Sequence, residues 1–139
     1  MIDWTRVLNP ERLGLNLRSG ASDYELAALE LALGTPVPPQ LRDLLAFSDG
    51  FEDLAGLWEC AWSCERVASE NTQAWQSSRL PRTLLAFGDD GAGTCFCVHT
   101  QPVDDRVIRW SWIGQDSEAT YVDLPTFSQT WLLSGAEPS

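Results

Sequence analysis

The sequence predicts an α+β fold: an antiparallel, or partly mixed, sheet of about four to six strands, with an N-terminal helical hairpin and a C-terminal helix packed against it. Three observations lead there. Two helix signatures flank a proline-rich turn between residues 22 and 50. From residue 56 onward, short apolar runs alternate with turns rich in Gly, Asp and Pro, mostly with no room for a crossover helix between them. Finally, Pro125 opens a short run with helical spacing.

The opening residues, 1–21, read as an arm or short helix with Trp4, Val7 and Leu8 on one side, then irregular chain to Gly20. Ser22-Asp23-Tyr24-Glu25 has the form of a capping box, in which the serine hydroxyl and the glutamate satisfy free N–H groups reciprocally. Leu26, Leu29 and Leu33 then recur at helical spacing, and Gly34 supplies the stop. Thr35-Pro36-Val37-Pro38-Pro39 cannot continue a helix, but Pro39 fits the first turn of the next. That helix buries Leu41, Leu44, Leu45 and Phe47 and stops at Asp49-Gly50. A strand is expected over 56–62 and a helix capped by Ser63 to about residue 75. Further strands are expected over 84–87, 94–100, 107–112 and 119–122, before the last helix with Phe127, Trp131 and Leu132.

With 139 residues and 15.4 kDa, the chain fits a single domain, with its core over 22–133 and a tail over 134–139. No apolar run approaches the ~18 residues that span a bilayer, and the N-terminus has no basic-then-apolar leader; a cytoplasmic location is expected. The net charge is −11, and all nine basic residues are arginine. Such a field repels phosphate, so neither nucleic acid nor an anionic membrane is expected as a partner. A cationic protein partner is favoured, since complementary charge speeds encounter. The oligomeric state is left open.

Four cysteines and one histidine raise the question of a metal or a thiol nucleophile. Cys60 and Cys64 have a plausible ligand spacing, whereas Cys95, Cys97 and His99 alternate along a strand, roughly 6.5–7 Å apart, which is awkward for joint ligation. Core cysteines are therefore expected, with no metal and no cofactor. A thiol nucleophile needs a base within reach, and His99 is the sole histidine. Gly88-Asp89-Asp90-Gly91-Ala92-Gly93 resembles a phosphate loop only superficially, because its aspartates repel phosphate and no lysine offsets them. Asp104-Asp105 reads as a solvated turn. A catalytic role is not expected.

Seven tryptophans in 139 residues is high, and most are expected in the core or covering the sheet. Trp58 and Trp62 are evenly spaced, as are Trp110 and Trp112, so each pair would share a strand face. Tryptophan is also enriched at binding hot spots. The candidate partner surface therefore comprises Trp110 and Trp112 with acidic residues expected in loops. Asp49, Glu52 and Asp53 follow the second helix, Asp89 and Asp90 lie in a hairpin, and Asp116 and Glu118 precede the last strand.

Three segments together resemble the SUKH superfamily, which contains fungal cell-wall-synthesis regulators and many bacterial immunity proteins. The first is the helix ending Glu30-Leu31-Ala32-Leu33-Gly34, the turn at Val37-Pro38-Pro39 and the second helix ending Ser48-Asp49-Gly50. The second is the strand–loop–strand stretch from Leu85 to Val98, in which Thr94 stands where the family often carries an acidic or amide residue. The third is the final helix from Pro125 to Leu133. The resemblance implies a non-catalytic protein-binding domain, an immunity protein that neutralises a nuclease or deaminase toxin by occluding its basic site. The alternative it implies is an intracellular regulatory scaffold for an endogenous partner.

Overall fold

The computed structural model describes residues 2–8, 15–53, 59–91, 93–100, 103–121 and 123–133. In chain order the elements are α1 (Trp4–Leu8), β1 (Leu15–Leu17), α2 (Asp23–Leu33), α3 (Pro39–Phe47), β2 (Phe51–Asp53), β3 (Glu59–Ala61), α4 (Cys64–Gln76), β4 (Leu84–Asp89), β5 (Thr94–Thr100), β6 (Val103–Ser111), β7 (Asp116–Tyr121) and α5 (Leu124–Leu133). The fold is α+β.

The predicted helix signals work as expected. Ser22 Oγ accepts the Glu25 N–H at 3.1 Å while Glu25 Oε1 accepts the Ser22 N–H at 3.0 Å, closing the capping box of α2. Gly34 ends that helix in the left-handed region at φ 72°, where any side chain would be strained. Pro39 is the first residue of α3. Ser63 Oγ accepts from the Arg66 N–H at 3.3 Å, and the Asp49 carboxylate accepts from the Cys64 N–H at 2.7 Å, so two side chains cap α4.

All seven strands form one antiparallel sheet in sequence order. This exceeds the expected strand count, because β1 and β2 are three-residue strands in chain read as irregular or as loop. Such strands are too short for an apolar alternation to register; their pairing partners, such as Leu15 with Asp53, are distant in sequence. The strand expected over 56–62 is observed as β3; residues 54–58, including Trp58, lie outside the described residues, as do Val122 and the tail over 134–139. The strand expected from 107 starts at Val103, so Asp104 lies on β6 rather than in a turn, its carboxylate bound to Arg106 at 2.9 Å.

The central strands β4 and β5 are buried along nearly their whole length, which requires cover on both faces. Helix α4 packs on α2 and β4, while α3 and α5 reach β6 and α1 packs on α5. Phe127 of α5 meets Phe87 edge-on at 6.2 Å and Phe96 at 4.7 Å. Strands β3 and β4 approach closely at Gly88, where an added Cβ would lie 2.3 Å from the Cys60 carbonyl oxygen.

Beyond that point β3 stops, and α4 completes the edge of β4 with side chains instead of a strand. Asn71, fully buried, accepts the Ala86 N–H at 2.8 Å and donates to the Ala86 carbonyl at 2.8 Å. One helical turn on, Trp75 Nε1 donates to the Leu84 carbonyl at 3.0 Å. Buried backbone groups need partners, and these two residues also fix α4 in position against the sheet.

Candidate functional site

Where α4 crosses the ends of β3 and β4, a cleft of about 470 Å³ opens. Arg66, Glu70, Gln73 and Ser77 recur at three- and four-residue spacing on α4, so they form one wall. Trp62, Asp89, Arg79 and Trp112 complete it. Helix α4 ends at Gln76 with Ser77 as its cap, and Ser78 takes a left-handed conformation at φ 60°, with its N–H donating to the Trp75 carbonyl. This reversal sets the Arg79 guanidinium over the Trp112 ring at 5.0 Å. Its backbone carbonyl meanwhile accepts from Trp110 Nε1 at 3.3 Å.

Arg66 is the hub of the charged wall. It contacts Glu59 at 3.2 Å, Asp89 at 3.3 Å and Glu70 at 3.5 Å, and its guanidinium lies 4.6 Å from the Trp62 ring centroid. Asp89 also accepts from Trp62 Nε1 at 3.1 Å. On its other side, Glu59 binds Arg18 at 2.6 Å, and Arg18 reaches Glu52 at 3.8 Å. Glu59 and Asp89 are only 16% and 19% exposed, so these contacts are poorly screened compared with open surface pairs.

The structure brings together part of the surface expected from sequence. Asp89 and Trp112 line the cleft, and Glu52 joins its network through Arg18. Asp49 is occupied in capping α4. Asp90 turns away: its carboxylate binds Arg109 at 3.6 Å and accepts the Thr94 N–H at 3.2 Å. Trp110 is buried at 8% exposure and belongs to the core cluster. The Trp112 N–H donates to the Gly93 carbonyl, one step past the Ser111–Thr94 pair, and both tryptophans meet Arg79: Trp110 at its carbonyl and Trp112 at its guanidinium. Asp116 is exposed at the start of β7 and Glu118 lies on the same strand, rather than before it; Glu52 and Asp53 lie on β2 and Asp89 ends β4.

Sequence reasoning passed over Arg66, Glu59, Arg18, Glu70 and Arg79. A usable signal was present for two of them: Arg66 with Glu70 has the i, i+4 spacing of a helical ion pair.

The cysteines are all free and buried. The Cys95 and Cys97 sulfurs lie 3.6 Å apart, closer than the strand rise suggests, and burial pushes the Cys97 thiol well above its ordinary range. Burial, followed by the Asp49 carboxylate, pushes Cys64 up to about 12. Protonated thiols of this kind are poor nucleophiles and poor metal ligands. Among the described residues, no three His, Cys, Asp or Glu side chains gather to hold a metal ion, and no helix is long and apolar enough to cross a membrane.

Fold and site together define a small α+β domain built on one antiparallel meander, with an arginine- and tryptophan-lined cleft beside its longest helix. Residues 20–132 match the SMI1 / KNR4 family (SUKH-1), and the chain belongs to this family. The family includes toxin-immunity proteins, is generally non-catalytic and is associated with protein partners. A search of the curated proteins finds no significant match.

Proposed function

We propose that this chain is an immunity protein of the SUKH family that binds a basic toxin domain, a nuclease or deaminase, and neutralises it by covering its active-site cleft. One observation carries this reading. The arginines are largely consumed internally: Arg18, Arg42, Arg66, Arg106 and Arg109 all pair with carboxylates of the same chain. The surplus acid behind the −11 charge is therefore left to the surface. A toxin that grips nucleic acid must be basic there, so the two fields attract. The cleft rim supports the same reading, since Trp112 and Arg79 are of the types that dominate interface energetics. Its carboxylates Asp89 and Glu70, already oriented by Arg66, can accept a partner's arginine or lysine without first being ordered.

The test uses the chain as bait in lysate of its native host, at moderate and high salt, with captured proteins identified by mass spectrometry. The expected result is a basic protein carrying a nuclease or deaminase domain, released by salt and inhibited by an equimolar amount of the purified chain. Trp112→Ala combined with Asp89→Asn should weaken that complex by on the order of tenfold or more. Capture of endogenous regulators alone, with no inhibition of a toxin activity, would move the assignment to a regulatory scaffold.

A further inference from the structure

Helix α2 is apolar nearly all round. Leu26, Leu29 and Leu33 enter the core, yet Tyr24 and Leu31 on the far side are 83% and 85% exposed. Ala27 and Ala28, also exposed, lie between them, so Tyr24, Ala27, Ala28 and Leu31 form an i, i+3, i+4, i+7 stripe in solvent. Single exposed apolar residues are ordinary, but an aligned stripe is a recognition feature. It borders a groove of about 230 Å³ between α2 and α4, lined by Tyr24, Ala28, Leu29, Cys64 and Ala68. Glu25 and Glu65 stand on its rim, and among the described residues neither pairs with an arginine. Arg66 is directed to the opposite flank of α4, into the tryptophan cleft.

We infer that this face is a second docking site, distinct from the cleft, for a basic amphipathic helix of a partner protein laid along the α2–α4 groove. The alanines between Tyr24 and Leu31 leave room for the partner's large apolar side chains, and its flanking lysines or arginines would meet Glu25 and Glu65. A strand is a poor occupant, because the groove walls are helices whose backbone groups are already bonded internally. A second copy of the chain is disfavoured, since it would bring the same acidic rim and another −11 of charge. An anionic lipid surface is repelled for the same reason.

The inference does not rest on the immunity assignment, and its test involves no toxin. The full-length chain is titrated against fluorescently labelled peptides: a leucine–lysine peptide of helical periodicity, the same composition scrambled, and a leucine–glutamate peptide of helical periodicity. Only the first should bind. Tyr24→Gln with Leu31→Gln should weaken it by on the order of tenfold or more, from the apolar area no longer buried. Trp112→Ala should leave it unchanged. Both substituted side chains are almost fully exposed, so the fold should survive the change. Failure to bind the helical leucine–lysine peptide, equal binding of the scrambled peptide, or indifference to the double substitution would each overturn the inference. So would a dimer in sedimentation that the double substitution dissolves, because it would assign the face to a second copy.

Discussion

Asn71→Ala should be among the most damaging single substitutions in this protein that leave every charge in place. The side chain is fully buried and makes three hydrogen bonds of 2.7–2.8 Å, two of them to the N–H and carbonyl of Ala86. Alanine removes both partners of Ala86, itself 1% exposed, at an edge where β3 no longer runs. Each orphaned buried group costs about 1–3 kcal/mol, and the vacated volume adds to that. The Val67 carbonyl keeps its helical partner and adds little. The expected loss is therefore about 4 kcal/mol, a large part of the roughly 5–15 kcal/mol typical of a domain. Urea unfolding followed by tryptophan fluorescence measures it directly. Asn71→Asp supplies an internal control: it keeps the acceptor for the Ala86 N–H but turns a carboxylate oxygen toward the Ala86 and Val67 carbonyls. That raises the folded-state carboxyl above its unfolded value, so this variant should regain stability as the pH falls toward the ordinary carboxylate range. A loss below about 1 kcal/mol for Asn71→Ala, with unchanged denaturant slope, would refute the role assigned to Asn71 in completing the β4 edge.

Two further outcomes follow from the charged wall and its neighbour. Arg66→Gln takes the shared cation from Glu59, Glu70 and Asp89 and should cost about 1–3 kcal/mol; an unchanged urea midpoint would contradict it. Cys64, pushed up to about 12 by burial and then by Asp49, should resist iodoacetamide at pH 8, and Asp49→Asn should speed its labelling. Between the ordinary thiol value of 9.0 and about 12 the folded chain keeps a proton that the unfolded chain has lost, so stability should fall with rising pH across that window. Cys64 labelling at the rate of a free thiol would contradict the assignment.

What was legible in the sequence was what short-range chemistry decides. The Ser22–Glu25 box, the Gly34 stop, Pro39 at a helix start and the Ser63 cap all involve residues within one turn of each other. Strand β5 was legible end to end, since six of its seven residues are apolar or β-branched and the run sits between turn formers. Strands β1 and β2 were not, because three residues carry no period and their existence depends on partners across two intervening helices. The site behaved likewise. Carboxylates at Asp89 and Glu52 were visible as acidic spots, but their grouping around Arg66 and Arg18 is made by the fold, with Asp89 and Arg66 separated by 23 positions. Even spacing relates Trp110 to Trp112 but does not say how far each is covered: Trp110 is in the core, while Trp112 lines the cleft. Asn71 reads as an ordinary polar helical residue until the end of β3 is known.

The order of the strands bears on how the molecule assembles. Because neighbours in the sheet are neighbours in the chain, β4 through β7 can zip together by closing only short loops. Pairing β1 with β2 instead encloses α2 and α3, and pairing β3 with β4 encloses α4, so these steps lose more chain entropy before contacts offset it. The C-terminal hairpins then form the template, and the N-terminal half docks on it. Arg66, which joins Glu59 of β3 to Asp89 of β4, sits astride that late seam and closes only when both halves are in register.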